Sequence, residues 1–325
     1  PLITFVLFPF SYSVWSTPPK KDVADAIALG SAFASYGALG LALVQYFAFG
    51  MRAEGGAGNA LVFATVTCMV GATSLASALL LDTQRTAFLG SGYLAAVPAV
   101  ILSGSRSIWL VMLITSLTIL AIGHKRALSL VRDHLGKLAI VFLGILTLSV
   151  GMIVQRIDSL VLDWTKLMEA EQFDTSLGYR AALWEIAAER IIEKPLLGHG
   201  LQHTRELIVN GLKTDFGVES YFTHFHNGFL TLLVESGIVG GGSIIAIFIF
   251  IFWIALRTIR SNQDHNTRFG SALLLIFCLS YTIGGSFNIV LGHDIYDVTF
   301  IIFLITGTFL ARETSKSPSG VTRKA

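Results

Sequence analysis

The sequence predicts an all-α, polytopic integral membrane protein, and three observations carry that prediction. Only 14% of the 325 residues are charged while 53% are hydrophobic, against roughly 25% charged in soluble domains. Mean hydropathy is +0.69. Apolar runs long enough to cross a bilayer, roughly 17–25 residues, recur along almost the whole chain. Helix is the one secondary structure that suits them: lipid offers no hydrogen-bond partner to an open strand edge, and barrel strands are shorter and alternate.

Taken in order, spans are expected at about 1–15, 26–49, 60–81, 86–104, 106–122, 138–154, 229–256, 269–288 and 296–311, about nine transmembrane helices. The first begins at Pro1 without an initiator Met and is apolar from the outset, so it reads as a truncated span with further sequence upstream. The expected organisation is transmembrane helices over 1–154, a long outer loop with short helices over 155–228, transmembrane helices over 229–311 and a polar, disordered tail over 312–325. Cys68 and Cys278 fall inside apolar runs and suggest neither a disulfide framework nor a metal knuckle. A net charge of +2 argues for no nucleic-acid partner.

Orientation follows from the basic residues, because short cytoplasmic connections carry the excess of Lys and Arg. Alternate connections hold Lys20 and Lys21; Arg85; Lys125, Arg126, Arg132 and Lys137; Arg257, Arg260 and Arg268; and then the basic tail. The other short connections hold only Arg52 and Arg106. The first set is therefore expected in the cytoplasm, which places Arg106 and segment 155–228 on the outer side. That segment is the polar exception, with 7 basic and 11 acidic residues. A loop of this length is usually functional or disordered. Within it, 178–193 has helical spacing, with Trp184, Ala188 and Ile191 read as one face, and is expected along the outer membrane surface. Pro195 cannot continue that helix, and Gly198 and Gly200 supply the turn after it.

Three short motifs fall on the outer side, and each supports two readings. Ser103-Gly104-Ser105-Arg106 joins two closely spaced spans, so the chain turns sharply at Gly104. Arg106 then heads the returning helix, either as a snorkelling anchor or as a cation awaiting an anionic partner. Arg180 and Trp184 are four apart on one helix and are followed by Pro195-Leu-Leu-Gly198-His199-Gly200. Arg180 is either a solvated charge above an interfacial Trp or a planar fork held where phosphate would pass. His226-Asn227-Gly228 precedes an apolar run that includes Glu235 and Gly237. Asn227 suits the helix cap. His226 is either an interfacial anchor or a base, its reference pKa being about 6.5. Glu235, about two turns into the helix, needs a partner and is read as a structural acceptor or a site residue.

In this order and spacing the motifs resemble the shared core of O-antigen ligases, O-antigen and exopolysaccharide polymerases, and protein O-oligosaccharyltransferases, over roughly residues 85–300. The resemblance implies a multi-helix, GT-C-like membrane glycosyltransferase of the bacterial inner membrane, with its site facing the periplasm. It implies a glycan donor carried on undecaprenyl pyrophosphate, an acceptor that is lipid A core or a growing polysaccharide, and inversion at the anomeric carbon. It carries catalytic roles onto Arg106, Arg180 and His226. Trp184, Glu235, Arg205 and Lys213 join as candidate substrate contacts. The donor is already activated, so no cofactor, nucleotide or metal is required. A transporter is the rival reading from another class, although neither repeated halves nor midplane charges stand out. A zinc site on His199, His203, His224 and His226 is a second rival, without a paired carboxylate motif.

Overall fold

The computed structural model describes residues 8–15, 17–170, 172–201 and 203–312. Eleven α-helices follow one another among these residues. They are α1 (Phe8–Trp15), α2 (Lys20–Leu43, ending in a π-helical turn at Val44–Ala48), α3 (Ala60–Leu80), α4 (Thr86–Leu102) and α5 (Arg106–Ile122). Then come α6 (His124–Ala170), α7 (Ser176–Glu193), α8 (Thr204–Phe216), α9 (Gly228–Ser261), α10 (His265–Gly285) and α11 (Asp294–Ala311). No strand occurs among the described residues. This is a multi-pass helical membrane protein.

Six of these helices are long and apolar enough to cross a membrane, and α4 and α5 are shorter apolar helices of 17 residues each. Among the described residues, six of the about nine expected spans are therefore matched by helices of full spanning length. The run at 1–15 contributes only the eight residues of α1, residues 1–7 lying outside the described part. Most of the 312–325 tail lies outside it too.

The larger correction concerns α6. The expected span at 138–154 is the middle of a 47-residue helix with one kink, at His134. From the kink to Ala170 the helix is about 54 Å long at 1.5 Å per residue, well beyond a hydrocarbon core of about 30 Å. Residues 155–170, expected as the start of a loop, are therefore the polar extension of a spanning helix. A change of composition marks where apolar surroundings end; it contains no capping or breaking residue that would end the helix there.

The core sits around α3 and α10, which are buried along most of their length. Small residues of α3, among them Ala64, Cys68, Gly71, Ala72 and Ala76, allow neighbouring helices to approach closely. Aromatic rings of α9, α10 and α11 fill the other side: Phe277 meets Phe300 edge-on at 4.7 Å and Phe248 in a stack at 5.4 Å. In contrast, α6 exposes Ile140, Phe142, Leu143 and Val150, and α9 exposes Ile249, Phe250 and Trp253. Lipid is the solvent that suits these faces.

The segment around α7 and α8 has a small core of its own. Ala182, Leu183, Ile186 and Ala187 of α7 pack with Ile208 and Leu212 of α8, Phe225 and Val234. This corrects the expected face of α7: Ala188 is exposed, and Trp184 and Ile191 only flank the buried stripe. Three residues at 3.6 periodicity fit several rotations of a helix, and only the partners select one.

Candidate functional site

The site begins with two backbone devices. At the corner between α4 and α5, Gly104 adopts φ +64°, a left-handed conformation that favours glycine. The turn puts Arg106 at the first position of α5. Two further guanidinium groups hold the turn. Arg52 Nε donates to the Ser103 carbonyl at 2.8 Å, and Arg156 Nε donates to the Gly104 carbonyl at 2.9 Å. A methyl group on Gly104 would lie 2.8 Å from Arg156 Nε and 3.2 Å from Arg52 Nε, so the absent side chain makes room for both.

The second device joins the other two motifs. Helix α9 breaks at Gly237, at φ 59° and ψ −165°. The turn Pro195–Gly200 docks into the break. His199 N donates to the Val234 carbonyl at 2.7 Å and Gly200 N to that of Glu235 at 2.9 Å. In return, Ile238 N and Val239 N donate to the carbonyls of Pro195 and Leu196. Two carbonyls and two N–H groups of α9 beside the break thus find partners in the turn, as an apolar setting demands. A Cβ on Gly198 would fall 2.6 Å from the backbone of Glu235 and Ser236, and one on Gly237 would fall 2.2 Å from the Leu196 carbonyl. Both glycines are required by this close approach. Glu235 itself accepts from Thr204 Oγ1 at 2.7 Å, tying α8 to α9.

These devices bring the three motifs to one cavity of about 720 Å³. Arg106, Arg180, Trp184 and His226 line it, together with Arg52 and Arg156. Arg106 Nη1 donates to the Arg156 carbonyl at 3.1 Å, and its Nη2 lies 3.7 Å from Asp163 Oδ2. Arg180 reaches Ser176 Oγ at 3.3 Å, while its Nε is buried with no acceptor among the described residues. Trp184 Nε1 is likewise buried and without a partner among them. Buried donors without acceptors are costly and rare in folded proteins, so these two point to a ligand that supplies acceptors.

Four guanidinium groups share this space with Glu54 at the lining and Asp163 beside Arg106. Burial, and then the neighbouring Arg106, lower the pKa of Arg180. Burial, and then Arg156, lower that of Arg52, with Glu54 opposing. The cavity is strongly cationic and partly desolvated, a setting in which a phosphate group is held far more firmly than in water.

His226 sits at the cavity wall just before α9, whose first turn is capped by Asn227 Oδ1 accepting from Phe229 N at 3.1 Å and Leu230 N at 3.2 Å. His226 has φ 48°, which only it adopts among the described non-glycine residues. Such a conformation marks a residue whose direction is over-determined by its surroundings. The ring meets Phe222 edge-on at 5.0 Å and His224 at 4.6 Å. Burial, then the His224 and Arg180 charges, push its pKa down to about 4. The imidazole is therefore neutral at neutral pH, in the form that accepts a proton.

Other sequence-derived candidates lie away from the cavity lining. Arg205 stands over the Tyr221 ring at 6.0 Å. Lys213 is largely exposed and pairs with Glu219 at 3.0 Å. His199 Nε2 contacts the Arg190 carbonyl at 2.9 Å. Among the described residues no group of three or more His, Cys, Asp or Glu side chains is arranged to hold a metal ion. Conversely, sequence reasoning missed Arg52 as a site residue and Arg156 altogether. Their available signals were faint: a lone Arg near Glu54 on a short connection, and an Arg at the end of an apolar run two turns before Asp163.

The fold and the cavity define a class: a multi-pass helical membrane protein with a cavity lined by four arginines and a histidine. Residues 91–245 match the family model described as O-antigen ligase, which shows the resemblance read from the motifs. The chain is also 29% identical over 130 residues, 39% of its length, to a Rickettsia conorii protein named "Putative polysaccharide ligase". The match spans 29% of that relative's own length. The family match contains Arg106, Arg156, Arg180, Trp184 and His226, whereas Arg52 enters the cavity from outside it.

Proposed function

We propose that the chain transfers a glycan from undecaprenyl pyrophosphate to an acceptor hydroxyl at the periplasmic face of the inner membrane, as an O-antigen ligase or an O-antigen or exopolysaccharide polymerase. The observation that carries this reading is the convergence of Arg106, Arg180 and His226 on one cavity. In the reaction, the bond between the anomeric carbon and the phosphate oxygen breaks as the acceptor oxygen bonds to that carbon from the opposite face. The pyrophosphate leaves with the bonding electron pair, its charge stabilised by Arg106 and Arg180. The hydroxyl proton passes to His226 Nδ1 or Nε2. Trp184 Nε1 and Arg180 Nε, both lacking acceptors, are suited to sugar or phosphate oxygens. Asp163 holds Arg106 until a donor phosphate competes for it.

The test is transfer by purified protein from lipid-linked glycan in excess EDTA. Two guanidinium groups neutralise the leaving group where other phosphate enzymes use a metal ion, so full activity in EDTA is expected. Loss of activity that zinc or magnesium restores would count against the mechanism. A second expectation concerns sidedness. Reporter fusions after Arg132 and after Asn262 should read cytoplasmic and fusions near Thr214 periplasmic, following the distribution of Lys and Arg. A cytoplasmic signal at Thr214 would put the site on the wrong face for this donor.

A further inference from the structure

A second cavity, of about 700 Å³, lies at the end of the bundle opposite the site, where α5 meets α6 and α9 meets α10. Its cations are Lys125, Arg126, Arg260 and Arg268, and none of its lining residues is acidic. Arg126 is committed to the protein, donating to the Leu81 and Thr83 carbonyls and to Thr86 Oγ1. Arg268 Nη2 donates to the Ile122 carbonyl at 3.3 Å, but its Nε is buried without an acceptor among the described residues. Lys125 and Arg260 are exposed and make no ion pair among the described residues. A general excess of positive charge on the cytoplasmic side accounts for basic residues at this end. It does not account for their convergence on a concavity free of carboxylates, or for a buried guanidinium N–H with nothing to bind.

Depth and shape indicate what fills it. Helix α5 has 17 residues and is about 25 Å long, slightly shorter than a hydrocarbon core of about 30 Å. With Arg106 near one interface, Ile122–Arg126 lie close to the headgroup level of the other. Trp253, exposed on α9 with Arg257 at 5.5 Å over its ring, is an interfacial anchor near the same end. Apolar residues then lead away from the cations. Ile245, Phe248, Ile249 and Phe252 of α9 line an apolar cavity of about 480 Å³, and Leu256 and Ile259 line the basic one. The spacing of these six puts them on one helix face. From Ile245 to Ile259 that face runs about 21 Å, enough for an acyl chain within one leaflet, about half of the 30 Å core.

We propose that this end of the bundle binds one anionic glycerophospholipid, its phosphate on Lys125, Arg260 and Arg268 Nε and an acyl chain along the face of α9. The proposal is independent of the transfer reaction. The test uses the full chain, purified and reconstituted in phosphatidylcholine nanodiscs, with phosphatidylglycerol added as probe. Bound lipid is counted by native mass spectrometry, and Tm is followed in parallel. Retained phosphatidylglycerol and a raised Tm are expected. Removing one cation near a membrane surface weakens such binding about fivefold, so the Lys125→Gln/Arg260→Gln double variant should lose roughly twenty-fivefold in affinity. Both side chains are exposed and make no hydrogen bond to other described residues, so folding should survive; size-exclusion behaviour checks this. Arg132→Gln/Lys137→Gln, exposed on α6 outside the cavity, should bind as the parent does. Three results would overturn the proposal: undiminished binding by the first pair, an equal loss in the second pair (diffuse surface attraction), or the same protection from inorganic phosphate alone (a soluble anion rather than a lipid).

Discussion

Alanine in place of Arg106 or Arg180 is expected to lower single-turnover glycan transfer by at least about a hundredfold. Removing one preorganised donor to a developing negative charge typically costs about 10²–10³ in rate. Both residues point into the same cavity, and Arg180 carries a buried Nε without an acceptor. Lysine keeps the charge but loses the planar fork, so Arg106→Lys and Arg180→Lys should be impaired yet retain measurable turnover. Arg106 also bridges α5 to α6 through the Arg156 carbonyl and Asp163, so a purely structural loss has to be separated from a chemical one. Donor binding measured beside turnover does this: a folded Arg106→Ala protein should bind lipid-linked donor weakly and transfer it slowly. If both alanine variants keep wild-type binding and turnover, the phosphate-clamp reading fails and both arginines revert to membrane anchors. Arg52 and Arg156 grip the turn that presents Arg106.

The second large effect is expected at His226. His226→Ala should still bind the donor, because the phosphate contacts remain, but transfer should fall by about 10²–10⁴, the usual worth of a general base. His226→Gln should recover part of that loss only if the residue orients the acceptor hydroxyl without taking its proton. The pH dependence is distinctive. With the pKa of His226 down at about 4, against about 6.5 for an ordinary histidine, the base stays neutral through mildly acidic solution. The acid limb of the rate profile should therefore lie well below pH 6.5. The linked stability has a definite sign. The folded pKa is depressed, so this group's stabilising contribution is present above about pH 6.5 and is lost as pH falls through about 4. His224 touches the His226 ring and helps to depress its pKa, so His224→Ala should move the acid limb upward with a much smaller loss of rate. His203→Ala should be close to the parent. Wild-type turnover in His226→Ala, with turnover abolished in His224→Ala or His203→Ala, would assign the base elsewhere.

Much of this architecture is legible from residues alone, because lipid imposes strong local rules. A bilayer requires long apolar runs, and α3, α9, α10 and α11 fall within a few residues of the spans read from the sequence. Gly104 announced the turn, Asn227 the cap, and Pro195 with Gly198 the end of α7; each acts on backbone within one or two turns of itself. Helix α6 was misjudged because composition reports surroundings, whereas helix ends are set by caps and breakers.

The rest depended on contacts distant in sequence. Arg52 reaches the Ser103 carbonyl across 51 positions and Arg156 the Gly104 carbonyl across 52. The turn at Pro195–Gly200 fits the break at Gly237 only when both are folded. Trp184, Ala188 and Ile191 suited a helix face equally well until α8 and α9 selected the stripe of Ala182, Leu183 and Ile186. The sequence by itself determined a membrane-spanning helical protein and the residue types of its site. The tertiary structure alone decided that four guanidinium groups and one neutral histidine share a single cavity, because apolar periodicity specifies which face a helix buries, whereas side-chain convergence depends on how the helices cross.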